Sequence, residues 1–572
     1  LSTTDGSTWS FASGSRSLSL EVGGQATANG SGVSLWQYGG GAHQRWTVRD
    51  TSIVSVPDVA VSTVAGVEPT LPGSVVPVYS YGNGVAAPVT WQLPAASAWD
   101  VPGSVTVTGT GTDVFGSTFE VRAVVDVGGF TSTDPVSVTT YAGASLASVQ
   151  ASAPATVPAQ VGASARRFDT PVVWDCAGLD DASFAAEGVV TVPGSAESND
   201  PAADPVPATL SVILTTPTLT NVAPQVSSAV ASSFESGYPI DRTYNLATGD
   251  KGWSNWVGSN KPTTSTLQYS FAAPQDVRTV STYFFKDGGS TTWAQTMTVD
   301  YLEADGTWSS VPEEALTVEA PVDGTAPKVD VDLGGVETTS VRLTLNAFAN
   351  THMIVSEVEI YATTASTSTV ADLGALRVDG SAVDGFSPDV EAYTVTTAGA
   401  RYPQVSAVPV DSAATVTVDQ PTEATDGLAT VTVTAPDGTT TRSYTVDVDR
   451  QVSVTAVAVA GEPTVGATVT ATSVTDPSDA TVTYRWLVDG TEVTGGAAGA
   501  ELSLSDVAVG ASVTVAATAE RDGFVVSDEV LSAPVVVRAA TPDPEPEPTG
   551  PEPPPVPTDP APSPTGPEPT GP

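Results

Sequence analysis

Six residues between positions 253 and 352 have the types that sugar recognition needs: Trp253, Asn255, Lys286, Trp293, Asn350 and His352. Pyranose rings present apolar C–H faces and a rim of hydroxyls. A site for them wants an exposed aromatic to stack on, ringed by amides, imidazoles and charges. The six lie in the stretches GWSNW, KDGGSTTW and NAFANTH. Trp253, flanked by Gly252 and Ser254, is expected to be the exposed stacking face. Trp256, and in the alternative Trp293, reads as a core plug, because a tryptophan among alternating strands packs more often than it binds. His352, next to Met353, can equally be a loop histidine with its hydrogen bonds satisfied.

The elements that must hold these stretches are strands. Residues 267–271 (LQYSF), 297–301 (MTVDY) and 341–345 (VRLTL) alternate apolar and polar side chains, the period of a half-buried strand. Together with ASS at 231–233, NLATGD before GWSNW, and the ending VSEVEIY at 355–361, they make residues 217–364 resemble the discoidin, or factor V/VIII type C, sandwich known as the family 32 carbohydrate-binding module. The resemblance implies binding loops gathered at one end. It also allows, without requiring, a structural calcium, with Glu357 matching the family's final-strand Glu and Asp250 close to a turn where Thr248 replaces the usual Asp. Losing a charged ligand weakens such a site.

A second set lies in residues 1–50, where SLSLEVGG is followed by GVSLWQYGGGAHQRWTV. This resembles one repeat of the ricin-B-type β-trefoil with its closing Gln-x-Trp. The resemblance implies sugar contacts from Glu21 (in place of Asp), Trp36, His43 (in place of Asn) and Gln44. A trefoil closes on three repeats. With Leu1 not a Met, the expectation is a fragment whose other repeats precede it.

The rest reads as spacers. VTW at 89–91 recurs as VVW at 172–174, and GSVTV at 103–107 as GVVTV at 188–192. Residues 51–142 and 143–216 thus resemble a pair of bacterial immunoglobulin-like (Ig-like) domains, with Trp91, Trp99, Trp174 and Phe184 as packing residues. Cys176, the single cysteine, reads as a small buried hydrophobe. Residues 365–451 resemble a cadherin-like β-sandwich, and 452–539 a further Ig-like module around Trp486. Residues 540–572, Pro-rich and almost without core-forming side chains, are expected to form a disordered stalk. The fold class is all-β: a string of small sandwiches.

Lys and Arg total 20 against 64 Asp and Glu, a net charge of −44, which disfavours nucleic acid and anionic lipid as partners. Two histidines, one cysteine and the absence of HExxH, GxSxG and Walker patterns leave only carboxylates as candidate catalysts. Acidic side chains on turns of small sandwiches do not form the desolvated facing pair that a glycosidase needs, so no catalytic residue is assigned. No stretch is apolar enough to insert in a membrane. The expectation is a monomeric, secreted or cell-wall-associated glycan-binding and spacer region of a glycoside hydrolase, targeting arabinose- or galactose-containing polysaccharide. A surface adhesin or stalk with no enzyme attached is the alternative.

Overall fold

The structure is a computed structural model that describes residues 9–13, 18–27, 30–47, 50–259, 261–322, 324–493 and 499–540. The Pro-rich tail expected beyond Ala540 lies outside them. The fold is all-β, as β-branched residues alternating between glycine-rich turns dictate. Among the described residues the one α-helix, Leu146–Ser152, is a two-turn piece capped by Ser145, whose Oγ accepts the Ser148 N–H at 3.1 Å.

The chain forms two compact units, the first of Leu1–Val395 with Pro403–Val448, the second of Thr396–Tyr402 with the chain from Asp449 on. The second unit packs strands Thr468–Asp476, Thr481–Val488 and Ser512–Glu520 around fully buried Trp486, whose indole N–H donates to Gly499 O at 3.0 Å.

In the first unit the two Ig-like modules repeat each other down to single contacts. The Trp91 indole N–H donates to Pro72 O at 2.8 Å, and the Trp174 indole N–H to Pro154 O at 2.7 Å. Opposite each ring lies a glycine, Gly109 or Gly194, where a Cβ would come within 2.6 and 2.5 Å of the indole. Trp99 and Phe184 are buried, and half-buried Cys176 packs beside the second core. Strands Phe130–Thr133 and Val136–Tyr141, expected in the first module, hydrogen-bond into the second, pairing with Thr156–Val161 and Val206–Thr215. Gly128, at φ 143°, turns the chain out of the first sheet just before them.

Residues 217–365 form an eight-stranded assembly in which Thr264–Phe284 and Lys328–Ala347, strands of 21 and 20 residues, pair along most of their length. Register breaks between Ser270 and Gln275 and between Val277 and Thr279 bend the first strand, which also pairs with Ile354–Ala365. Leu267, Tyr269, Val280, Met297, Leu343, Leu345 and Ile360 fill the core, each aliphatic contributing about 1.5–3 kcal/mol on full burial.

The second Ig-like module also docks onto residues 373–395 of the same unit. Asp134 forms an ion pair with buried Arg377 at 2.6 Å and accepts from Arg167 Nε at 2.7 Å. Gln160 donates to Gly380 O at 2.7 Å. On another face its Ser145 hydroxyl meets the Glu337 carboxylate at 2.8 Å.

Candidate glycan-binding site

The GWSNW segment is positioned by a backbone squeeze. Gly252 is buried, and a Cβ there would lie 2.3 Å from Ser356 O, 2.6 Å from Val355 O and 3.1 Å from Arg242 O. Trp253 and Ser254 then bridge to Val355 and Ile354. Pressed against this strand, Trp253 points inward: it is 0% exposed, part of the core, and its indole N–H donates to Ser233 O at 2.8 Å. This corrects the expectation that Trp253 is the stacking face.

Asn255 is likewise structural. Its side chain is buried, donating to Pro262 O and Ser265 Oγ, both at 3.1 Å, and accepting Met353 N–H at 2.7 Å. Three of its four hydrogen-bonding positions are thus occupied within the protein. The loop is pinned, and the next residue emerges. Trp256, read from sequence as a core plug, is 41% exposed, and its indole N–H is turned back onto Gly258 O.

Beside it sits His352, 9% exposed, its ring centroid 5.0 Å from that of Trp256 and tilted by 44°. His352 Nε2 is buried without a hydrogen-bond partner among the described residues. Burial first, then the Lys251 charge, holds this imidazole below its ordinary value of 6.5, so it is neutral at pH 7. Lys251 pairs with Glu235 at 2.9 Å and lies 4.2 Å from the centre of the Tyr238 ring. Phe234, next to Glu235, is exposed.

The other predicted residues frame this end. Asn350 is exposed in the left-handed region at φ 61°, and its carbonyl accepts from Lys261 Nζ at 2.9 Å. Lys286 is half-buried, with Nζ on Gly324 O at 2.6 Å. Its loop abuts the start of strand Ile354–Ala365, two residues after His352, through Phe285 N–H to Ile354 O and Ile354 N–H to Thr292 O. Trp293 is buried in the core, and its indole N–H has no partner among the described residues. Of the predicted six, His352, Asn350 and Lys286 thus remain available around an aromatic that the sequence reading placed inside.

The oxygen donors around Glu357 and Asp250 are mixed. Glu357 is fully buried, but Leu246 and Asn245 turn backbone N–H groups to its two oxygens, at 2.9 and 3.2 Å. Burial raises its carboxyl above the ordinary value. Asp250 pairs with Arg242 at 3.4 Å, and only its buried, unpartnered Oδ1 suits a cation. Ser356 Oγ already donates to Asp250 O at 2.6 Å. Among the described residues no three His, Cys, Asp or Glu group as a metal site. Glu357 and Asp250 Oδ1 are the charged oxygens at this place, and a hard ion wanting six to eight oxygens would have to draw the rest from backbone carbonyls and water.

In residues 9–47 the structure brings together Glu21, His43 and Gln44. Gln44 Nε2 donates to Glu21 at 3.1 Å, and His43 Nε2 lies 3.5 Å from the same oxygen. Trp36, on strand Val33–Gln37, is 66% exposed.

Residues 228–360 match the F5/8 type C domain family, and residues 56–114 the bacterial Ig-like domain (group 4) family. A curated relative, an exo-beta-1,6-galactobiohydrolase of Bifidobacterium longum subsp. longum, is 28% identical over 380 residues, 64% of this chain. The match covers 24% of that relative, so the chain spans about a quarter of its length. Among solved structures, the family 32 module of C. perfringens NanJ in complex with galactose is 12% identical, covering 25% of this chain and 99% of its own at a TM-score of 0.22. The Streptococcus pneumoniae beta-galactosidase BgaA is 16% identical over 23% of this chain and 89% of its own, with a TM-score of 0.19. No helix among the described residues is long and apolar enough to cross a membrane. The chain therefore carries an F5/8 type C domain and a bacterial Ig-like domain, and over much of its length it is similar to part of a glycoside hydrolase.

Proposed function

We propose that this chain is the glycan-binding and spacer region of a secreted or surface-attached glycoside hydrolase, and that residues 217–364 hold it on galactose- or arabinose-containing polysaccharide. One observation carries the reading: exposed Trp256 stands against the nine-tenths-buried His352, whose Nε2 has no hydrogen-bond partner among the described residues. An indole face can stack on the C–H face of a pyranose, and a fixed imidazole nitrogen can then meet a ring hydroxyl. Galactose is favoured because the B. longum relative is named for releasing a galactobiose. The Ig-like modules space and orient the site. Glu21, His43 and Gln44 beside exposed Trp36 support a second sugar contact of the ricin type at the other end of the unit's sequence.

Calorimetric titration of the whole chain against galactan, arabinan and arabinogalactan tests this. Binding at about millimolar to micromolar dissociation constant is expected for a shallow site, lost in Trp256→Ala. Binding that survives this change moves the site elsewhere.

A further inference from the structure

All four lysines of the chain, Lys251, Lys261, Lys286 and Lys328, fall within the F5/8 type C domain of a protein whose net charge is −44. Two are neutralised: Lys251 by Glu235 at 2.9 Å and Lys328 by Asp330 at 2.8 Å. The other two flank the Trp256–His352 end, and among the described residues neither has a carboxylate within ion-pair reach. Lys261 Nζ rests on Asn350 O, two residues from His352, and Lys286 Nζ on Gly324 O. Backbone carbonyls fix the ammonium groups without cancelling their charge. With 64 acidic residues in the chain, lysines left without carboxylate partners at the loops that carry the stacking aromatic point to a ligand that supplies the missing charge.

Resting on the glycan-binding reading above, we infer that the sugar taken at this end carries an anionic substituent, a uronate carboxylate or a sulfate. The ring stacks on Trp256 and meets His352 Nε2, an unpartnered polar atom on a side chain only 9% exposed. The anionic group is held by Lys261, with Lys286 adding field from the adjoining loop. Glu235 is already committed to Lys251, and Asp287 is the other carboxylate whose charge reaches His352. A like charge on the ligand is therefore opposed at close range by one carboxylate, Asp287, against the two ammonium groups. Long-range repulsion from the rest of the chain is screened beyond about 10 Å at 0.1 M salt. A contact pair at the loops persists and sets specificity.

The test compares four probes with the whole protein: neutral β-galactan, glucuronate-bearing arabinogalactan, the same polymer after carboxyl reduction, and a sulfated galactan. The inference expects one or both anionic probes to bind about two- to fivefold more tightly than the neutral galactan, the scale of one exposed charge pair. That preference should shrink between 20 and 500 mM salt and fall to about one in Lys261→Met/Lys286→Met. The carboxyl-reduced arm separates uronate from sulfate as the source. Equal binding of neutral and anionic probes, at low salt and with affinity that depends on Trp256, overturns the inference while leaving the glycan-binding reading intact. Binding of none of the four overturns both.

Discussion

The imidazole of His352 lies 5.0 Å from the indole of Trp256, the first nine-tenths buried and the second 41% exposed. Strand Ile354–Ala365 fixes the histidine side, and the buried Asn255 carboxamide, which accepts Met353 N–H, fixes the tryptophan side. A rigid polar group thus sits under an open aromatic face.

Trp256 and Trp253 should therefore separate binding from folding. Trp256→Ala should reduce glycan affinity at least tenfold and leave thermal unfolding nearly unchanged. Trp253→Ala should destabilise by about 3–5 kcal/mol, the usual cost of deleting a buried large aromatic. Paired melts and titrations check this; equal loss of stability in both would contradict the burial contrast.

Stability should depend on His352 in mildly acidic solution. Its folded pKa lies below the ordinary 6.5 because of burial and the Lys251 charge. The unfolded chain then binds the proton first, so stability is lost as pH falls from about 6.5 toward the folded value. Melting temperature should drop more between pH 7 and 5.5 in the native protein than in His352→Gln. Parallel slopes would show that His352 does not titrate this way.

Gly252→Ala should be costly out of proportion to one methyl group. The added Cβ meets three carbonyl oxygens, the nearest at 2.3 Å, and a backbone shift of this kind costs about 1–3 kcal/mol. Because that shift carries Trp256 with it, affinity should fall as well. A variant with native melting and native binding would show that the squeeze is not needed.

Removing metal should matter little to this module. Glu357 is held by backbone N–H groups and Asp250 by Arg242. A bound ion at a hundred times its dissociation constant would add about 2.7 kcal/mol. Melting curves in EDTA and in millimolar calcium should superimpose; a rise of several degrees with calcium would reinstate a metal.

Arg377→Ala should destabilise the contact between the second Ig-like module and residues 373–395. It leaves buried Asp134 with Arg167 as its one cation, a loss of about 2–4 kcal/mol. Denaturant unfolding of the whole first unit should show an earlier step or a lower midpoint; an unchanged profile would mean the modules do not stabilise each other through this pair.

The all-β class and the Ig-like repeat with its packing tryptophans were legible in the residues alone, as were the loops on which the candidate site is proposed. Strand periodicity, recurrent motifs and local composition are one-dimensional signals, and burying alternate side chains on a sheet follows directly from them. Which tryptophan of GWSNW faces solvent was not legible. Trp253 and Trp256 are three apart in a segment without strand or helix periodicity. Their orientation is decided by distant carbonyls of residues 242, 355 and 356 closing on Gly252 and by the Asn255 side chain reaching residues 262, 265 and 353. The placement of strands Phe130–Thr133 and Val136–Tyr141 in the second Ig-like module was equally hidden, because pairing partners are chosen by tertiary register and not by local pattern. Sequence set which residues could stack, bond and carry charge; long-range backbone contacts decided which of them meet the solvent.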